Sequence, residues 1–212
     1  IHGGPTSASR PAFSLSKQFW TSRGFAIVDV NYGGSTTYGR EYRKRLDRQW
    51  GVVDVQDAVA AVDFLVAEGK ADPARVAIRG GSAGGFTVLA VLARRDTFTA
   101  GVSYFGVSDL AALARDTHKF ESRYLDRLVG PLPAAVDVYA ARSPLSHLEG
   151  FSCPLLILQG MDDEVVPPAQ SEAIVDALAE RGIPHAYLSF EGEGHGFRRA
   201  ENQLRCMTAE LS

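Results

Sequence analysis

The sequence predicts an α/β fold in which a mostly parallel sheet is covered by helices on both faces. Strand-like segments alternate with segments of helical periodicity, and the strand-like ones are continuous apolar runs rather than alternating ones. A strand that is apolar on both sides has both faces buried, as happens in a parallel sheet layered between helices. The third observation is a glycine-rich turn, GGSAG, placed where one such strand gives way to a helix.

Taken in order, residues 24–34 (GFAIVDVNYGG) are an apolar run stopped by Asn and Gly, and a buried strand is expected there. Val55, Val59, Val62 and Val66 recur at helical spacing within residues 52–69, with Gly69 as the stop. Residues 74–80 (ARVAIRG) read as a strand and 83–95 (AGGFTVLAVLARR) as a helix. A further strand is expected over 98–106. From Asp109 to Arg142 the pattern is helical but irregular, with Gly130-Pro131-Leu132-Pro133 as a break. Residues 153–160 (CPLLILQG) are a strand. In the helix expected over 168–181, Ala173, Ile174, Ala177 and Leu178 share one face and Gly182 closes it. A last strand (185–192) and a last helix (198–211) complete the series. There is no internal repeat, so a single layered domain over residues 1–212 is the economical reading.

A net charge of -3 and the lack of a basic face argue against a nucleic-acid or membrane surface. The densest basic run, residues 40–48, contains Glu41 and Asp47 and reads as a solvated loop. No apolar stretch approaches the ~18 residues of a membrane-spanning helix. Cys153 and Cys206 match no metal spacing and read as buried or free thiols rather than a disulfide. The chain opens abruptly on IHGGP, with neither a starting Met nor a signal peptide. With Ile1 as the last residue of a core strand, the chain reads as a fragment of a longer polypeptide, lacking the first strands of the sheet. The compartment stays open.

In such a sheet, ligands meet the carboxyl ends of the strands. Gly80-Gly81-Ser82-Ala83-Gly84 fits G-x-S-x-G, in which a serine on a tight, strained turn lifts its hydroxyl above the sheet. The helix that follows aims backbone N–H groups at the space beside that hydroxyl. A serine hydroxyl needs a base, usually histidine, oriented by a carboxylate. In the α/β-hydrolase order, acid and then base follow the serine. His185 enters its strand at the amino end of the sheet, the wrong side. His147 precedes a strand, and His118 lies in the irregular segment. His195, flanked by Gly194 and Gly196 just past a strand's carboxyl end, is the base. For the acid, Asp162, Asp163 and Glu164 all qualify by position, as does Asp109, and spacing does not choose among them.

HGGP, NYGGSTTYG, GVVDVQDAV, GGSAGG, GMDDEVVP and GEGHGF occur in the order seen in the catalytic domain of the prolyl oligopeptidase family of serine peptidases, which the chain resembles throughout its length. The resemblance implies an α/β-hydrolase fold and hydrolysis of short peptides through an acyl-enzyme, with no metal and no organic cofactor. Its acid motif, G-x-x-D-x-x-V-P, is satisfied by Gly160, Asp163, Val166 and Pro167, which makes Asp163 the acid beside Ser82 and His195. It also implies an oxyanion hole formed by the N–H groups of Gly4 (or Gly3) and Ala83. A substrate pocket is expected from Tyr104, Phe105, Phe120, Tyr124 and Val166, with Glu121 and Arg123 as candidates to hold a charged substrate terminus. Short peptide or aminoacyl substrates are the implied partners, and members usually carry an upstream β-propeller. Nothing in this chain reads as propeller blades. A homo-oligomer is compatible with the sequence. An apolar sheet edge left open beside the HGGP strand is an expected aggregation site. A carboxylesterase of the same fold is the alternative, although many esterases carry a third glycine where Pro5 stands here; a catalytically inactive interaction module is the other.

Overall fold

The computed structural model describes residues 1–116 and 123–212. Helices α1 (Leu15–Thr21), α2 (Gly39–Lys44) and α3 (Val53–Ala67) precede the first strand, β1 (Ala77–Gly81). There follow α4 (Ala83–Leu92), β2 (Ala100–Tyr104), α5 (Leu110–Asp116), α6 (Tyr124–Leu128), α7 (Val136–Arg142), β3 (Leu155–Gly160), α8 (Pro168–Glu180), β4 (His185–Phe190) and α9 (Ala200–Leu211). The strands form one parallel sheet in the order β1-β2-β3-β4.

The period-two alternation of the strands divides the core into two layers. Ile78, Leu155 and Ile157 face the large cluster that contains α4 and the Ile174 and Leu178 side of α8. Val102, Tyr104, Leu156, Leu158, Leu188 and Phe190 face the other way, against Cys206 of α9. Every residue of α4 is buried, between the sheet on one side and α3 on the other. A helix apolar all round is the sequence signature of that position. The irregular stretch 109–142 resolves into α5, α6 and α7, with residues 117–122 outside the described set.

The strand expected at residues 24–34 is not formed. A strand exists through its ladder, and no described segment pairs with this one. Its hydrogen bonds are local or through side chains: Phe25 N–H donates to Trp20 O, and the Asn31 amide exchanges bonds with the Ser9 backbone. Phe25, Ile27 and Val28 are exposed, against the expectation of burial, although Phe25 packs edge-on against Trp20.

Behind the sheet, a carboxylate ties α3 to α4. Asp54 is fully buried and accepts from the Gly51 N–H at 2.6 Å and the Thr87 hydroxyl at 2.5 Å. Burial pushes its carboxyl up to about 6. An unfolded Asp titrates near 3.9, so the folded protein holds this proton more tightly. Stability from this group is therefore complete below about pH 4 and is lost as pH rises through 6, by roughly 3 kcal/mol in all. Asp54→Asn, neutral and near-isosteric, is expected to remove that term. Urea unfolding midpoints of wild type and variant should diverge between pH 4 and pH 7, wild type falling relative to the variant. A gap independent of pH would refute the assignment.

Both cysteines are free and buried, and burial pushes the Cys206 thiol up to about 12, far from a reactive thiolate. Among the described residues no helix is long and apolar enough to cross a membrane, and no His, Cys, Asp and Glu cluster is arranged to hold a metal ion.

Candidate active site

Strand β1 ends at Gly81 and α4 begins at Ala83, so Ser82 alone turns the chain. Its φ of 58° and ψ of -124° lie in a region that side chains rarely adopt, at a cost of about 1–3 kcal/mol. The turn is held by the Ser82 N–H donating to Tyr104 O at 2.9 Å and the Phe86 N–H donating to Ser82 O at 3.0 Å. The glycines of the motif are there for contact. A Cβ on Gly80 would stand 2.5 Å from Gly84 O, and one on Gly84 would overlap the carbonyl oxygen of Ile1. Strand and helix thus meet backbone to backbone, and the serine projects from the apex.

His195, on the loop between β4 and α9, brings Nε2 to 2.8 Å from Ser82 Oγ and Nδ1 to 2.8 Å from Asp163 Oδ2. Facing a carboxylate, Nδ1 carries the proton of the neutral ring, which leaves Nε2 to accept from the serine hydroxyl. Of the acidic candidates, Asp163 is buried while Asp162 and Glu164 are exposed. The other Asp163 oxygen, Oδ1, accepts the N–H groups of Val165 and Val166 at 2.9 Å each, which aims the carboxylate at the imidazole. Asp109 instead caps α5, accepting from Ala111 and Ala112 N–H. His147 donates to Ala141 O at the surface, and His185 donates to Ile183 O at the amino end of β4. His118 lies outside the described residues.

The imidazole is supported from two sides. The ring of Phe105 lies 4.7 Å from it and packs edge-on against Phe197. Glu193, buried in the same loop, accepts the N–H groups of Arg198 and Arg199 and the amide of Asn202, joining the loop to the start of α9. Asp162 N–H donates to Glu193 O at 2.9 Å, so the loops that carry Asp163 and His195 are fastened together.

Gly4 and Ala83 border the same cavity as Ser82. Among the described residues neither of their N–H groups donates to a protein acceptor, leaving both free for a ligand oxygen. The cavity, about 50 Å³, is walled by Pro5, Trp50, Val107, Leu113, Tyr124, Leu125, Val165 and Val166. Tyr124 and Val166, expected in the pocket, are in its wall. Tyr104 is not: its side chain points to the opposite layer, where its hydroxyl donates to the Glu210 carboxylate beside Arg79. Strand parity explains this correction, since Ser103 turns toward α4 and its neighbour must turn away. Phe105 backs the imidazole rather than lining the cavity. Phe120 and Glu121 lie outside the described residues, and Arg123 pairs at the surface with Asp126 at 3.1 Å. Trp50, Leu113 and Leu125 escaped sequence reasoning because they come from separate segments with no shared motif.

Residues 11–212 match the family model described as prolyl oligopeptidase family. A puromycin-hydrolyzing peptidase from Mycobacterium tuberculosis superposes with a TM-score of 0.98 at 57% identity, covering 99% of this chain and 32% of that one. Dipeptidyl aminopeptidase BIII of Pseudoxanthomonas mexicana is 33% identical over 95% of this chain and 30% of its own length. The acylamino-acid-releasing enzyme of Arabidopsis thaliana is 32% identical over 95% of this chain and 27% of its own length. The chain therefore spans about a third or less of each of these relatives. With the family model matched over nearly the whole chain and an α/β-hydrolase sheet of the same shape as that of the Mycobacterium tuberculosis peptidase, the chain belongs to the prolyl oligopeptidase family of serine peptidases.

Proposed function

We propose that this domain performs the hydrolytic chemistry of a peptidase that cleaves short peptides through an acyl-enzyme. The observation that carries the reading is the unbroken line Ser82 Oγ, His195, Asp163, each link 2.8 Å long. His195 Nε2 takes the Ser82 proton as Oγ attacks the scissile carbonyl. Asp163 holds the proton on Nδ1 and stabilises the imidazolium that forms. The Gly4 and Ala83 N–H groups receive the developing oxyanion; in such sites each donor contributes about 2.7–4 kcal/mol to the transition state. His195 then protonates the leaving amine and activates the water that releases the acyl group.

The apolar cavity beside Ser82 receives the side chain on the acyl side of the scissile bond. Release of N-terminal aminoacyl, acylaminoacyl or dipeptidyl units fits both the cavity and the relatives named above, and the family resemblance supports an upstream β-propeller in the same polypeptide.

Two measurements on the natural full-length protein test this. A fluorophosphonate probe is expected to label Ser82, identified by peptide mapping. Aminoacyl anilides are expected to be turned over at least as efficiently as short acyl esters. No labelling would favour an inactive module, and an ester preference of orders of magnitude in kcat/KM would favour a carboxylesterase.

A further inference from the structure

Phe105 directly follows β2, and strand parity would send its side chain to the α4 side, where Ser103 meets the carbonyl oxygen of Gly85. That side is closed to a ring. The next residue, Gly106, meets α4 backbone to backbone, and a Cβ on Gly85 would stand 2.7 Å from Gly106 Cα. Phe105 instead takes φ 37°, in the left-handed region that a β-carbon disfavours. The chain is fixed at this point by the Phe105 N–H, which donates to Leu158 O at 2.7 Å, and by Tyr104 O, which accepts the Ser82 N–H at 2.9 Å. The diverted ring lies 4.7 Å from the His195 imidazole, with Phe197 edge-on at 5.6 Å.

The other contact of the ring is with the nucleophile turn. A Cβ on Gly81 would stand 3.2 Å from Phe105 Cε2 and 3.4 Å from Cζ, closer than side chains normally pack. Gly81 has no positive φ, so its backbone does not call for glycine; the ring of Phe105 does. The ring thus fills the space between the residue before Ser82 and the imidazole that must take the Ser82 proton. We infer that Phe105 is a positioning residue for the triad: its ring is the spacer that sets how far His195 stands from the Ser82 turn. The strained backbone at 105 is retained because it holds the ring in that place. Phe105 is not in the cavity wall, and it acts through the 2.8 Å link between His195 Nε2 and Ser82 Oγ. Proton transfer across that link tolerates little change in distance. This inference rests on the peptidase reading above.

The test uses the natural full-length enzyme, with turnover expressed per titrated Ser82. Phe105→Leu keeps an apolar side chain and loses the plane of the ring. It is expected to lose about 10- to 100-fold in kcat on an aminoacyl anilide, with KM unchanged. A peptide alcohol, which fills the cavity without reacting, should bind as it does to wild type. Gly81→Ala presses its methyl on the ring, and the ring on the imidazole, so kcat should fall by a similar factor. Added to Phe105→Leu, the same methyl should cost less than about twofold more, because both changes act through one contact. Phe105→Gly and Phe105→Ala read the strain. The glycine variant should unfold at the higher urea concentration, the reverse of the order found at an ordinary φ. A kcat within about twofold of wild type in Phe105→Leu, or losses that multiply in the double variant, overturns the inference and leaves the peptidase reading intact. So does a loss of alcohol affinity equal to the loss in kcat, or an alanine variant more resistant to urea than the glycine one. Should Phe105→Leu fail to fold, Gly81→Ala decides by the same comparison of kcat with alcohol affinity. A wild-type enzyme inert toward every peptide substrate overturns the peptidase reading itself, and the inference falls with it.

Discussion

Asp163→Asn is expected to lower kcat on peptide substrates by about 10⁴-fold with little change in KM. The loss is one of tautomer, not of architecture. An asparagine can keep its carbonyl oxygen on the Val165 and Val166 N–H groups, so the turn that carries it stays in place. Its amide then presents N–H to His195 Nδ1, which forces the imidazole proton onto Nε2, the nitrogen that lies 2.8 Å from Ser82 Oγ. A nitrogen that already carries a proton cannot take one from serine. Labelling of Ser82 by a fluorophosphonate should slow in parallel, while the melting temperature should move little. Asp162→Asn is the internal control: that carboxylate is exposed and bonds neither His195 nor Ser82, so its activity should stay within about twofold of wild type. A loss below 100-fold in Asp163→Asn, or comparable losses in the two variants, would remove Asp163 from its role.

The contrast between these two neighbouring aspartates also marks what can be read from sequence. Three carboxylates stand side by side at 162–164, and their spacing along a loop says nothing about which one turns inward. The choice is made by the two N–H groups at 165 and 166, which satisfy only the carboxylate folded back over them. Helix α4 and the strands beside it are legible because burial on all sides writes continuous apolar runs. Residues 24–34 carry the same kind of run and form no strand, because pairing is non-local and no described segment supplies the partner. Tyr104, expected in the pocket, lies in the opposite layer for a related reason: alternation is visible in sequence, but which parity faces the site depends on how Gly101 and Ser103 meet α4. The cavity wall was the least legible part. Trp50, Leu113 and Leu125 converge from three segments, and each is an ordinary core residue where it stands.

Gly84→Ala should damage folding and catalysis together, through one methyl group. Its Cβ would overlap the carbonyl oxygen of Ile1 and stand 2.9 Å from that of His2. Both obstacles are backbone, and neither can swing aside as a side-chain tip would. Overpacking of this kind costs about 1–3 kcal/mol, and here the upper end is expected because α4 is buried on every side. Relief can come only from moving the start of α4 away from residues 1–4. That motion parts Ala83 from Gly4, whose N–H groups are the proposed pair for one oxyanion, and a displacement near 1 Å costs about 100-fold in rate. Urea unfolding and single-turnover acylation of the surviving folded fraction would report the two effects separately. Gly69→Ala is the comparison. Gly69 closes α3 at φ 66° with nothing within 4 Å of an added Cβ, so its cost should be backbone strain of about 1 kcal/mol with acylation untouched. If Gly84→Ala instead behaves like Gly69→Ala, the first residues of the chain are not seated against α4, and the oxyanion hole they would complete with Ala83 is not there.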